Sequence, residues 1–140
     1  MERVDVRTIR LTWEPELRLA KLSFAEKTQA TGEDAAALVR AMRVWVGAKP
    51  VPFGLLDDGG NLVGSDREYR SEWGAFFKAH RGHSFLAFFN MSPRMRIAAA
   101  LFQVAIGVSA NSFVYEEEAL AWLSTKGIGI PPKTAPSPRA

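Results

Sequence analysis

Two short and almost purely apolar runs constrain the fold of this chain more than any other feature. They read VPFGLL (51–56) and SFLAFFN (84–90), and turn-forming residues border both. Unbroken apolar runs of this length are typical of strands covered on both faces, as in a parallel sheet with helices packed on it. A chain of 140 residues is long enough for one such domain with its own core.

Further strands and helices are predicted around these runs. Alternating segments at 4–13 and 17–24 predict two antiparallel strands, and NSFVY (111–115) predicts a last short strand. Apolar residues at helical spacing, with cap residues before them, predict four helices. These helices are the segment from the Thr31 and Asp34 cap to Gly47, the segments that begin at Ser65 and Ser92, and the acid-led EEEALAWLSTKG (116–127).

The predicted element order is therefore β-β-α-β-α-β-α-β-α. Strands that alternate with helices form a sheet that becomes parallel, with right-handed crossovers and with helices covering it. We predict one α/β domain over residues 1–126, built on a mixed, mostly parallel sheet. The segment 127–140 is rich in proline and polar residues, so we predict that it is a flexible tail.

The composition excludes several classes of site. The chain has no cysteine, which excludes disulfides, thiolate metal sites and cysteine nucleophiles. The N-terminus MERVDVRTIRL lacks the apolar core of a signal peptide. The most apolar stretch, IAAALFQVAIGV (97–108), is shorter than the roughly 20 residues that a membrane span needs. We expect a cytoplasmic protein without a membrane span.

The net charge of +3 arises in the tail. Residues 126–140 carry three basic residues and no acid, and the rest of the chain has 15 residues of each sign. A nucleic-acid-binding domain usually carries a basic face on its folded part. We therefore predict no nucleic-acid partner.

The stretch LLDDGGNLVGSDREYR (55–70) allows two interpretations of Ser65. Ser65 and Glu68 fit the S-x-x-E capping box, in which each side chain bonds the backbone N–H of the other residue. The alternative is phosphorylation of Ser65, which would add roughly two negative charges at a helix N-terminus. Asp57 and Asp58, which precede two glycines, are predicted turn formers rather than metal ligands.

The element order and the ending NSFVYEEEALAWL (111–123) resemble the STAS domain, the fold of bacterial anti-sigma-factor antagonists, and its SEC14-like relatives, in a divergent bacterial branch. The resemblance covers roughly residues 4–126. In the antagonists, an apolar strand ends at an aspartate, and the next helix begins at an Asp-Ser pair whose serine is phosphorylated. Here Ser65 matches the phosphoserine position, although it precedes Asp66 rather than following an aspartate.

A candidate anion-binding or partner-binding site is predicted at the carboxyl ends of the strands. Ligands of open α/β sheets bind at this edge, where helix N-termini converge, and arginines there can hold a phosphate, a carboxylate or a partner's acidic side chain. The alternative is a set of capped helices with solvated arginines. The candidate residues are Asp57, Asp58, Arg67, Asn90, Ser92, Arg94 and Arg96, with Ser65 and Arg70 at the same edge.

No catalytic or metal-binding motif is recognisable in the sequence. His80 and His83 are the two histidines, and no third ligand lies near them in the chain, whereas a zinc site usually needs three or four. The sequence contains no G-x-S-x-G elbow, no P-loop and no dinucleotide fingerprint. We predict that the protein is not an enzyme and has no catalytic residue, metal or cofactor.

The segment 97–108 is apolar nearly all round, which is typical of a helix that is buried on more than one side. It is either a deep core helix beneath the N-terminal strands or a contact surface for a second subunit or partner protein. The residues predicted for a homodimer interface are Ile97, Leu101, Phe102 and Val104.

Two functions follow as hypotheses. The first is a non-catalytic regulatory or protein-interaction module of STAS-like type, in signalling, which presents the helix surfaces from Ser65 and Ser92 to a protein partner or to itself. The alternative, implied by the SEC14-like side of the resemblance, is a binder of a small anionic or lipid-like ligand at the strand ends. The alternative requires a cavity, and the first function requires the same side chains to pack without room. These side chains are Phe53, Trp73, Phe77 and Phe102.

Overall fold

The computed structural model describes residues 1–129 of the chain, which form eight strands and four helices. The strands are β1 (Glu2–Val6), β2 (Ile9–Glu14), β3 (Leu19–Phe24), β4 (Thr28–Ala30), β5 (Phe53–Asp58), β6 (Leu62–Ser65), β7 (Ser84–Phe89) and β8 (Ser109–Phe113). The helices are α1 (Gly32–Val46), α2 (Arg67–Ala79), α3 (Pro93–Ile106) and α4 (Glu116–Thr125).

Six strands form one mixed sheet in the order β1-β2-β3-β5-β7-β8. The pairs β1–β2 and β2–β3 are antiparallel, and β3, β5, β7 and β8 are parallel to one another. Helices α1, α2 and α3 connect successive parallel strands. The predicted α/β architecture with a mixed, mostly parallel sheet is confirmed.

Three strands were not predicted as separate elements. The segment 4–13, predicted as one strand, is a hairpin of β1 and β2 that reverses at Arg7, whose φ is +55°. The Arg7 guanidinium is anchored on Asp34, with Nε–Oδ1 and Nη2–Oδ2 distances of 2.9 and 2.6 Å. The short strands β4 and β6 pair with each other in a separate parallel ribbon. Segments of three or four residues are too short to show a strand period.

The sheet has a core on each face. Helices α1, α2 and α3 cover one face, and α4 covers the other with Ala119 and Leu123. Leu55 of β5 belongs to the first core, and Leu56 belongs to the second. Alternation between two buried faces explains why the β5 and β7 segments are apolar without interruption.

Helix α3 is the least buried of the helices. Ala99 is its one buried residue, and Ile97, Leu101 and Val104 are 65, 66 and 82% exposed. Of the two alternatives for the segment 97–108, the deep core helix is therefore wrong. The helix precedes β8, which is an edge strand, so no described element covers its outer side.

The end of the described chain remains part of the domain. Ile128 is 2% exposed and packs with Leu123 in the core beneath α4. Most of the predicted flexible tail, from residue 130 onward, lies outside the described residues. No helix within residues 1–129 is both long enough and apolar enough to cross a membrane.

Candidate functional site

A cavity of about 80 Å³ lies between the sheet, α2 and α3. Trp73 and Phe77 of α2 and Phe102 of α3 contribute to its wall, as the ligand-binding hypothesis required. Phe53 does not line it, because its ring is fully buried against Phe76, at a centroid distance of 5.8 Å. The aromatic side chains therefore leave room instead of interdigitating completely.

The two helices that flank the cavity contact each other at only a few places. A side chain at Gly74 of α2 would come within 2.9 Å of Ile106 on α3, and the rings of Phe77 and Phe102 meet edge to face at 6.5 Å. Toward its N-terminus, α3 presents the small residues Ala98 and Ala99 to the cavity. These short side chains leave the gap between helix and sheet unfilled.

Asp57 is the one carboxylate among the residues that line the cavity. It lies on the same face of β5 as Leu55, and its Oδ1 atom is buried without a hydrogen-bond partner among the described residues. The residue as a whole is only partly covered, because it borders the cavity. Burial, and then the negative charge of Asp58, raise the pKa of Asp57 to about 7.

Tyr69 and Trp73 bring two further polar groups to the same cavity. The two residues are 7 and 4% exposed, and the Nε1 atom of Trp73 has no hydrogen-bond partner within residues 1–129. Burial, followed by the charge of Asp57, raises the pKa of Tyr69. The nearby Trp73 indole acts in the other direction and lowers the pKa of Tyr69. The two side chains nevertheless do not meet the geometry of a hydrogen bond. Trp73 was among the side chains that the ligand-binding hypothesis placed around a cavity, whereas Tyr69 was predicted only as part of one face of the helix.

An open cleft of about 510 Å³ adjoins the cavity between the β4–β6 ribbon and the helices. Three basic residues line it, namely Lys27, Arg70 and Arg94, and no acidic residue is among those of the described chain that do so. The Arg70 Nη1 atom donates to the carbonyl oxygen of Ser65 at 2.7 Å and to its Oγ at 3.1 Å. Ser65, Arg70, Met95 and Ala98 line both the cavity and the cleft, so the two are continuous.

Three of the residues predicted at the anion site line the cavity or the cleft. Asp57 lies in the cavity, Arg94 lies in the cleft, and Ser65 lies where the two meet. Lys27 was not predicted, because it precedes β4, a strand that the sequence pattern did not reveal. The ribbon between β4 and β6 is what brings this lysine close to the two arginines.

The other predicted site residues have local structural contacts. The Asp58 Oδ1 atom accepts from the Gly60 N–H at 3.0 Å and from Asn90 Nδ2 at 3.2 Å, which joins the ends of β5 and β7. The Ser92 Oγ atom accepts from the Met95 N–H at 3.2 Å and caps α3, as predicted.

The two remaining arginines do not line the cavity or the cleft. The Arg96 Nη2 atom donates to the carbonyl oxygen of Met91 at 3.5 Å. Arg67 is exposed in the first turn of α2 and forms no hydrogen bond or ion pair with the described residues. The predicted cluster is therefore divided between the site and the helix and strand ends beside it.

The predicted capping box of Ser65 and Glu68 is wrong. Ser65 pairs with Ala30 as the last residue of β6, so its backbone is held in a strand. Asp66 is the N-cap of α2, and its Oδ1 atom accepts from the Tyr69 N–H at 2.8 Å. Its Oδ2 atom accepts from the N–H of Gly32 at 3.3 Å and so connects the starts of α1 and α2.

The two histidines lie outside the cavity and contact each other. His80 Nδ1 and His83 Nε2 are 2.9 Å apart, and both rings pack edge-on against Phe53. Burial, then His83 and Arg43, lower the pKa of His80. Within the described residues, no three histidine, cysteine or acidic side chains form a group that could hold a metal ion.

No protein-family model, curated protein or solved structure matches the chain. The cavity and the cleft are therefore the features of this chain that bear on its function.

Proposed function

We propose that this domain binds a small anionic ligand, with a short apolar part in the cavity and the anionic group in the basic cleft. The observation that carries the proposal is the continuity of the two spaces at Ser65 and Arg70. A cavity of about 80 Å³ is roughly half the size of one that holds benzene. The apolar part of the ligand is therefore a short group rather than a long acyl chain.

The charges of the cleft favour an anion. Lys27, Arg70 and Arg94 converge on it without a lining acid in the described chain, so their potentials add. Arg70 is already oriented by its two hydrogen bonds to Ser65, and a pre-oriented guanidinium loses less side-chain entropy when it binds a phosphate or carboxylate.

Isothermal titration calorimetry with butyl phosphate and inorganic phosphate tests the proposal. We expect butyl phosphate to bind more tightly, because each methylene that enters the cavity contributes about 0.8 kcal/mol, or roughly fourfold in Kd. Replacing Arg94 or Arg70 by alanine should weaken the binding of both compounds by about tenfold, as expected for the loss of a charge-assisted hydrogen bond.

Arg67→Ala is the matched control, because it removes the same charge from α2 at a residue that lines neither the cavity nor the cleft. This variant should bind both compounds as the wild type does. The proposal would be contradicted if the wild type bound the two compounds equally or bound neither. It would also be contradicted if Arg67→Ala weakened binding as much as Arg70→Ala or Arg94→Ala.

The second candidate function is the protein-interaction module of STAS-like type. The alternation of parallel strands with helices from β3 to α4 supports the assignment to this fold. The exposed apolar side of α3 supports a contact with a protein partner or a second copy, and it includes Ile97, Leu101 and Val104. Phe102 points instead into the cavity wall, so its contribution to such a contact would be indirect.

Phosphorylation of Ser65 belongs to the same candidate function. A phosphate on its Oγ atom would lie beside Arg70, within the basic cleft. It would then compete with an anionic ligand for the same cations. Intact-protein mass spectrometry of material from the native cell tests this, since Ser65→Ala should remove any added phosphate mass.

A further inference from the structure

The cavity is lined by two buried polar atoms for which the described residues supply no hydrogen-bond partner. Among the described residues, three buried side-chain atoms have no hydrogen-bond partner, and they are Asp57 Oδ1, Trp73 Nε1 and Ser84 Oγ. Asp57 and Trp73 both line the cavity, and Ser84 does not. Buried polar atoms without a partner are rare in native proteins, and each one needs a physical explanation.

The two polar groups in the cavity have complementary requirements. The Asp57 carboxylate needs a donor, and the indole N–H of Trp73, which is 4% exposed, needs an acceptor. A hydroxyl group meets both requirements at once. An ammonium group offers donors only, and a carboxylate or phosphate offers acceptors only, so each would leave one of the two groups without a partner.

The charges around the cavity also favour a neutral polar group at this point. Asp57 and its neighbour Asp58 repel an anion, and a cation would first have to pass Arg70 at the junction with the cleft. Tyr69 and Arg70 are the other titratable groups that line the cavity, and β7 and α3 contribute only uncharged residues to its wall. A hydroxyl carries no charge and avoids both repulsions.

We propose that the inner cavity recognises a hydroxyl group of the ligand, which donates to the Asp57 carboxylate and accepts from the Trp73 indole N–H. This inference rests on the anion site proposed above and defines the ligand further as a short hydroxylated compound with an anionic group at its other end. Met91 and Met95 in the wall have flexible side chains that can shift to admit the hydroxyl to both buried atoms.

Two matched series of ligands test the inference by calorimetry. The first contains alkyl phosphates of two to five carbons, and the second contains the same chains with a hydroxyl at the far end. At the chain length that fits best, the hydroxyl should tighten binding to the wild type by roughly tenfold or more, since a buried polar site rejects an analogue that cannot pair with it.

The ratio of the two affinities within each variant reports on hydroxyl recognition separately from anion binding. Trp73→Phe keeps an aromatic ring and removes the N–H, and Asp57→Ala removes the carboxylate without adding bulk to the cavity wall. In both variants the ratio should fall to about one. Ser84→Ala is the control, because it removes the third unpartnered atom outside the cavity and should leave the ratio unchanged.

The outcomes separate this inference from the function on which it rests. If alkyl phosphates bind the wild type but the hydroxyl adds nothing at any length, water satisfies the inner groups and the inference fails, whereas the anion site stands. If neither series binds the wild type, the anion site fails, and this inference fails with it. Because the wild-type ratio alone can overturn the inference, the test does not depend on the folding of the variants.

Discussion

Asp57 ends a strand face that is otherwise apolar, and it receives no cationic partner from the described residues around the cavity. Its situation is opposite to that of Asp34, which Arg7 and the Thr31 backbone hold in place. The Arg7 hydrogen bond is the main cause that lowers the pKa of Asp34, and burial is the main cause that raises that of Asp57. The two carboxylates thus differ in the partners that the described residues supply to them.

The raised pKa of Asp57 predicts an unusual pH dependence of stability. The pKa of an unfolded aspartate is about 4, and that of folded Asp57 is about 7, so the folded state binds an additional proton between these values. The contribution of Asp57 to the free energy of unfolding should therefore fall as the pH rises from about 5 through about 7, whereas the lowered pKa of His80 contributes a rise over part of the same range. The contribution of Asp57 is at most about 1.4 kcal/mol per pH unit.

Chemical denaturation of the wild type and of Asp57→Asn between pH 5 and pH 8 measures this effect. The variant carries no titrating carboxyl at this position, so its stability should lack the fall that Asp57 causes, while the effect of His80 is the same in both proteins. Starting at pH 5 keeps Asp34 ionised, because the lowered pKa of that residue removes stability only at more acidic pH. Equal pH dependence in the two proteins would show that Asp57 titrates normally.

At the scale of the elements, the start of α2 determines the position of the candidate site. Asp66 caps α2 and also bonds the first residue of α1, while Ser65 remains in β6 and orients Arg70. A side chain on Gly32 would come within 2.5 Å of Glu68 Cβ, so the two helix starts are in close contact. The N-cap of α2, the β4–β6 ribbon and the junction of the cavity with the cleft therefore all depend on Ser65 and Asp66.

This arrangement predicts different effects for two neighbouring alanine substitutions. Asp66→Ala removes a helix cap and should lower the free energy of unfolding by about 1 kcal/mol or somewhat more, because the bond to Gly32 is lost as well. Ser65→Ala removes a partly exposed contact and should change it by less than about 0.5 kcal/mol. Urea denaturation compares them, and a larger loss in Ser65→Ala would mean that serine is the cap.

At the scale of the whole molecule, α3 has an uncommon position. Its inner side lines a cavity, and its outer side exposes Ile97, Leu101 and Val104 next to the edge strand β8. No charged residue lies between Arg96 and Glu116 in the sequence, so α3 itself adds no charge to this surface after its first turn. Ligand binding beneath α3 and a contact on its outer side would involve the same helix.

If this side of α3 is the contact between two copies, the wild type should dimerise with increasing concentration. Leu101→Lys should then shift the protein to a monomer, because a charge in an apolar contact is poorly solvated. Val44→Lys is the control, since Val44 is equally exposed on α1 but lies on a different helix. Sedimentation equilibrium or native mass spectrometry measures the assembly state. A monomer at all concentrations, or equal dissociation of both variants, would exclude a dimer through α3.

The helices and strands that have a clear local sequence pattern could be predicted from the sequence alone. The apolar runs of β5 and β7, the cap at Thr31 and the Pro93 start of α3 are local patterns, and each depends on a few neighbouring residues. The α/β order follows from their alternation. The hairpin at Arg7 and the ribbon of β4 and β6 could not be predicted, because contacts between distant residues stabilise them.

The candidate site was decided by the tertiary structure. The sequence identified Asp57, Ser65 and Arg94 as polar residues near strand and helix ends, but it also suggested Asp58, Asn90 and Ser92 on the same grounds. Which of them face a common space depends on the packing of α2 and α3 on the sheet, which local patterns do not encode. Local sequence thus determined the helices and strands, and long-range packing determined the cavity and the two polar groups in it for which the described residues supply no partner.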